Sequence, residues 1–241
     1  MHPGYLFAAA VAVTAATAWF AASAGEVDDD GRDVAAVLRL PPGAAATATG
    51  VLALDAFDDF VQLFVAAGKR GSGGEGDVGG ATVPLPGRYR GDIPEGWPLE
   101  RFLAAYVPGL SLGAYAGAYF DAASDDGDAR GGNLFRPRAS GGGEGISKPG
   151  VTAPVVALSS LAAGRTFRAV RYDGGSVFDG AAFVMLDYAE SDTWPLRWLL
   201  RDEMRCVHRC LCVGFGGVLP LGGPRFGTPF VLWRDGSECP P

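Results

Sequence analysis

The sequence predicts a mainly β protein, an antiparallel barrel or sandwich with one or two short helices and an apolar N-terminal segment. Two patterns and a composition carry that expectation. Within roughly the last 90 residues, Arg165–Tyr172, Phe178–Tyr188, about Leu199–Val207, Leu211–Leu219 and Pro229–Arg234 form five short strand-like runs with turn residues between them. Leu110–Phe120 adds a run of period two, with Leu112, Ala114, Ala116, Ala118 and Phe120 on one face and Gly113, Tyr115, Gly117 and Tyr119 on the other. Glycine (37) and proline (17) make up about 22% of the 241 residues, against roughly 12% in an average chain, a composition that favours turns. With 48% hydrophobic residues the chain can still bury a core, and its length suits one globular domain plus tails.

The elements follow in chain order. Residues 5–24 are an uncharged apolar run ending in Ala22-Ser23-Ala24, small residues at −3 and −1 before Gly25-Glu26, which fits a cleaved signal peptide. Twenty residues also suffice for an uncleaved membrane anchor, and an ordinary buried helix is the third option. A secreted or endomembrane-lumenal destination is expected, membrane-anchored through 5–24 if the segment is retained. Residues 25–84 are an acidic, Ala/Gly-rich stretch, expected to be poorly ordered over 25–50, with one amphipathic helix at 51–67. There Leu54, Phe57, Phe60, Val61 and Phe64 share a face, Asp55, Asp58 and Asp59 take the other, and Gly68 ends the helix. Residues 85–235 are the β domain, opening on a strand at Gly87–Gly91 and a short helix at Pro98–Tyr106, with a second glycine-rich loop over 121–150. Residues 236–241 are a tail.

Cysteines stand at 206, 210, 212 and 239. If His208-Arg209-Cys210 is a three-residue hairpin loop, Val207 stands opposite Leu211 and Cys206 opposite Cys212, close enough for a cross-strand disulfide. Cys210 could then reach Cys239. Free buried thiols and a zinc site using His208 are the competing readings, the latter weak because only one metal-binding hook exists. No zinc is expected.

The chemistry that is missing narrows the function. A formal charge of −7 disfavours nucleic acid as a partner. The first 129 residues hold 7 basic and 17 acidic side chains, the remainder 13 and 10, so the strand-rich half is only mildly basic. There is no G-x-S-x-G elbow, P-loop or dinucleotide fingerprint, and no cofactor is expected. The polar candidates are Arg201 on the run Trp194–Arg205 and Arg171 with Tyr172 at a strand end. Tyr89, Tyr115, Tyr119 and Tyr188 are rings that could line a barrel. In a strand Arg201 and Glu203 share one face and Asp202 the other. An arginine entering the barrel must pair with a carboxylate or meet a ligand's.

Gly87-x-Tyr89-x-Gly91 with Pro98-Leu99, Tyr115-x-Gly117-x-x-Phe120 and Asn133-Leu134-Phe135 resembles the GxWxG domain family, with tyrosine in place of the family's tryptophan. The later Tyr188, Pro195-Leu196-Arg197, Arg201-Asp202 and Leu211-x-Val213-Gly214 resemble the family's second segment, so the likeness spans about 85–235. It implies a lipocalin-like β-barrel of uncertain function. On such a scaffold the first expectation is binding of a small apolar molecule (a lipid, isoprenoid or pigment) by Tyr89, Tyr115, Tyr119, Arg171, Tyr172, Tyr188 and Arg201, with no catalytic residue assigned. The alternatives are an isomerase or lyase using Arg201, Asp202, Glu203 and a tyrosine, or a structural secreted protein without ligand.

Overall fold

The computed structural model describes residues 32–41, 44–54, 56–70, 80–93, 115–135, 162–191, 200–218 and 223–234. The expected signal segment 1–24, the helix at 98–106 and the tail at 236–241 lie outside them. Eight strands, β1 (Gly87–Asp92), β2 (Tyr115–Phe120), β3 (Ala129–Phe135), β4 (Ala162–Tyr172), β5 (Phe183–Asp187), β6 (Leu200–His208), β7 (Leu211–Val218) and β8 (Gly223–Trp233), pair antiparallel in sequence order. β8 returns to β1 and closes the barrel. The architecture is mainly β, a closed eight-stranded antiparallel barrel of the lipocalin-like kind, with a few short helices. Each of the eight strands thus has a hydrogen-bonded neighbour on both sides.

Period two sorts the side chains. On β6 Asp202, Met204 and Cys206 point inward, while Arg201, Glu203, Arg205 and Val207 point out. The interior holds Tyr89, Ala118, Phe120, Phe167, Ala169, Val184, Leu186, Tyr188, Met204, Phe230 and Leu232. Bare glycines make room for its rings. A Cβ on Gly131 would meet Phe167 Cε2 at 2.7 Å, and one on Gly214 would meet Phe230 Cζ at 2.4 Å. Edge-on or tilted ring contacts at 5.4–5.7 Å run Tyr89–Phe120–Phe167–Tyr188 through the barrel.

The outer face of β5–β8 is also apolar, and helices cover it. α1 (Val34–Val37) is capped by Asp33, α2 (Ala48–Leu52) by Thr47, each side chain accepting a backbone N–H of its first turn. α3 (Phe57–Arg70) lays Phe57, Phe60 and Phe64 against Phe215, with ring centroids at 5.3–5.6 Å. Each such buried ring contributes roughly 1.5–3 kcal/mol.

Several expectations need correction. The helix read over 51–67 is two helices, α2 ending at Leu52 and α3 starting at Phe57. Part of the acidic stretch 25–50 is ordered, since Val34 and Val37 are buried with α3. Gly68 lies inside α3, where it is needed for contact: a Cβ there would stand 2.6 Å from the Arg205 guanidinium. Glycine-rich 121–150 contains β3, whose Gly131 the strand reading missed because glycine lowers strand propensity. Residues 178–182 of the expected strand are a turn, because Asp179 reaches back to Arg205. In the β6–β7 hairpin Cys206 does stand opposite Cys212, but His208 opposes Leu211, so the turn is Arg209-Cys210 and Val207 is the extra residue of a bulge.

Candidate functional site

The two ends of the barrel differ. One is closed by the chain itself. Gly80 pairs with Cys206 through backbone hydrogen bonds of 2.7 and 2.8 Å, and residues 80–86 then run from β6 to the start of β1. Val83 packs on the interior cluster, and the Tyr89 hydroxyl donates to the Leu85 carbonyl at 3.0 Å and lies 3.4 Å from that of Arg209. Burial pushes the Tyr89 phenol up, with Arg234 partly opposing it. The Cys206–Cys212 disulfide lies here on the inner face. Cys210 is also disulfide-bonded; Cys239, expected to reach it, lies outside the described residues. His208 does not face a cysteine cluster. Its Nδ1 accepts the Cys210 N–H at 3.3 Å, which leaves Nε2 protonated to donate to the Ala46 carbonyl, also at 3.3 Å.

The opposite end carries the polar chemistry. From there leave the β1–β2, β3–β4, β5–β6 and β7–β8 connections. Tyr188, one residue past β5, donates its hydroxyl to Asp202 Oδ2 at 2.7 Å and accepts from Asn133 Nδ2 at 3.1 Å. Burial raises the Tyr188 phenol well above its ordinary value, and the negative charge of Asp202 raises it further. Tyr115 is pushed up by the same two causes in the same order, with Asp92 adding to them. Both phenols therefore stay protonated at neutral pH, and Tyr188 donates to Asp202. Tyr188 is 2% exposed, while Asn133, Asp202 and Tyr115 are partly open to solvent. Thr228 shares the inner row with Asp202 across Gly216. Leu200 and Ile93 pack at the edge of the same cluster.

Register explains why these residues meet. The β2 bulge between Tyr115 and Gly117 shifts the alternation by one residue, so Tyr115 turns inward beside Gly91 while Tyr119 packs outside with Ala116 and Leu134. The expected shared face of the two tyrosines is thereby split. Of the residues expected to line the ligand, Tyr115 and Tyr188 share the polar end, and Tyr89 is inside at the closed end. The other four are not in the interior. Tyr172 lies outside, 42% exposed and stacked on Phe183. Arg171 is exposed at the far end of β4 and pairs with Asp173 at 2.7 Å. Arg201 lies on the outer face, 3.2 Å from Glu203 and over the Phe183 ring. Glu203 is likewise outside the barrel, so neither can serve an interior site. Asn133 was missed, though it is one of two side-chain amides in the whole chain.

A second buried polar cluster lies between barrel and helix. Arg205, fully buried, takes Asp179 bidentately at 2.7 and 2.7 Å and also donates to the carbonyls of Phe64 and Ala182. Its guanidinium lies 4.4 Å from the Phe64 ring centroid. Every member contacts the α3 seam or the 173–182 turn, which makes the cluster a clamp for the helix.

No protein-family model and no curated protein matches the sequence. Among solved structures the chain is similar to "Crystal structure of protein from Thermomonospora curvata", at 18% identity and a TM-score of 0.30, covering 64% of this chain and 80% of that one. A likeness that loose carries no argument.

Proposed function

We propose that the protein binds a small, largely apolar molecule at the polar end of the barrel. The carrying observation is the Tyr188–Asp202–Asn133 hydrogen-bonded group, set among apolar side chains and partly open to solvent. A few convergent polar groups in an apolar surround are the usual make-up of a small-molecule site. The aromatic chain from Tyr89 to Tyr188 floors it, so the ligand sits at the mouth instead of threading the barrel. The Cys206–Cys212 disulfide supports a secreted or lumenal setting. A GxWxG-type kinship is proposed on the motif alone, whose Gly87, Tyr89 and Gly91 all lie on the inner face of β1.

Titration of delipidated protein with the neutral fluorophore N-phenyl-1-naphthylamine tests the reading. Saturable, micromolar enhancement is expected, weakened about tenfold by Leu200→Gln at the edge of the site. Failure to saturate would remove the proposal.

A second reading rests on the same contact. Asp202 as base and a protonated tyrosine as acid would suit an isomerase or lyase, since Tyr188 and Asp202 come within hydrogen-bond reach inside the barrel. Conversion of a β,γ-unsaturated ketone to its conjugated isomer, abolished by Asp202→Asn, supports it. Equal conversion by the variant sinks it.

A further inference from the structure

We infer that Phe167 sets the depth of the site at the polar end, so that its ligand is a compact apolar molecule and not a long-chain lipid. The inference rests on the binding reading above and concerns the size of the molecule that site accepts. On β3 the inward positions, counted from the polar end, are Asn133, Gly131 and Ala129. Asn133 belongs to the site through its bond to the Tyr188 hydroxyl. One step further in, Gly131 has no side chain, and the Phe167 ring from the paired position on β4 takes the space. A Cβ on Gly131 would stand 2.7 and 3.0 Å from Phe167 Cε2 and Cζ. The next inward pair, Ala129 and Ala169, is small on both strands. Between Asn133 and that pair, the bulk on these two strands comes from Phe167.

The ring is held from two sides. Tyr188 meets it at 5.7 Å with the planes at 74°, and Phe120 at 5.5 Å and 58°, geometries that add to the gain from burial alone. Phe167 is 3% exposed and Tyr188 and Phe120 2% each, so this layer is closed to a molecule resting above it. Beyond it Ala169, Val184, Met204 and Leu232 are all fully buried, and the deeper interior has no free surface on these side chains to offer an apolar chain. Going deeper means displacing close-packed rings, with the loss of their contacts. The depth within reach is that between the rim and this layer. Leu200 opens β6 and Asp202 stands two positions further in, a rise of about 7 Å, roughly the length of a six-carbon chain. A longer chain leaves its remaining methylenes in water, where they add no affinity.

Competition of straight-chain primary alcohols, butanol to dodecanol, against N-phenyl-1-naphthylamine reads the depth on the wild-type chain. Affinity is expected to rise about fourfold per methylene up to roughly six to eight carbons and then to level off. In Phe167→Ala the rise should continue for about three further carbons, so that decanol binds at least about tenfold tighter than to the wild type. Phe167→Leu should show the same shift in smaller measure, and carries the test if alanine is not tolerated. Leu232→Ala, which removes bulk beside the Cys206–Cys212 pair at the closed end, should leave the levelling point where it is. A rise that continues through dodecanol on the wild type overturns the inference and leaves the binding reading intact. So does an unmoved levelling point in the folded Phe167 variants, an equal shift in Leu232→Ala, or a site that binds the fluorophore but no alcohol. Absence of fluorophore binding is the separate failure of the underlying reading.

Discussion

At the scale of single residues, two charged-type side chains on β6 do different work although they are three positions apart. Asp202 faces the interior and holds the Tyr188 hydroxyl, whereas Arg205 faces the helix and holds Asp179. Tyr188→Phe removes a charge-assisted bond and leaves Asn133 and Asp202 short of a partner, so urea unfolding should register a loss of about 1–3 kcal/mol. Gly68→Ala should reverse the ordinary helix preference. Alanine gains about 1 kcal/mol in an open helix, but its Cβ would stand 2.6 Å from an Arg205 guanidinium pinned by Asp179, Phe64 and Ala182. The variant is expected to be destabilised alone and neutral or better in an Arg205→Met background, a double-mutant cycle that thermal melts can read. Around the same clamp pH acts with two signs. Burial raises Asp179, but the Arg205 bonds and charge outweigh it and hold the carboxyl below 3.8. Its stabilisation is thus present above pH 3.8 and lost as pH falls through the lower folded value. Glu203 is raised above 4.5 by burial, against the opposing Ser176, Arg201 and Val177, so its stabilisation is present below 4.5 and lost as pH rises through the folded value. Stability should therefore improve from neutral pH towards about 4.5 and decline below about 3.8. Glu203→Gln should remove the first slope and Asp179→Asn the second, each seen in denaturation midpoints across pH.

At the scale of elements, bulges decide which side chains the site receives. Without the extra residue in β2, the parity that puts Ala118 and Phe120 inside would put Ala116 there too and turn Tyr115 to the surface. The β6–β7 hairpin joins cysteines only 6 residues apart. A loop that short restricts the unfolded chain modestly, so replacing Cys206 and Cys212 together by alanine should cost about 2 kcal/mol by the loop-entropy relation, measurable as a lowered melting temperature. The larger effect belongs to geometry, since Cys206 also holds Gly80 through its backbone and anchors the segment that closes this end.

At the scale of the molecule, the barrel cannot stand bare. Phe183, Val213, Phe215 and Val231 point away from its interior and are buried in one cluster with side chains from residues 34–67. A chain starting at Gly80 would expose them as one apolar surface, so light scattering should show oligomers or aggregates where the full chain does not. The same layering places the two polar clusters back to back across one sheet, one serving the candidate site and one the helix clamp.

Residue patterns alone determined the mainly β class, the five C-terminal strands, the helix built on Phe57, Phe60 and Phe64, and the opposition of Cys206 to Cys212. Each of these depends on local periodicity or on counting along one hairpin, and the physics that sets them acts over a few residues. β3 was illegible because its glycines have no local reason to be a strand; Gly131 fits because Phe167, paired with it on the neighbouring strand β4, needs the room. Arg201 and Glu203 looked like site residues by chemistry, and a shared face could be read, but not that the face lies outside. The meeting of Tyr188, Asp202 and Asn133 joins three strands separated by up to 69 positions. Only closure of the barrel, which fixes register between strands distant in sequence, could bring those three side chains to one point.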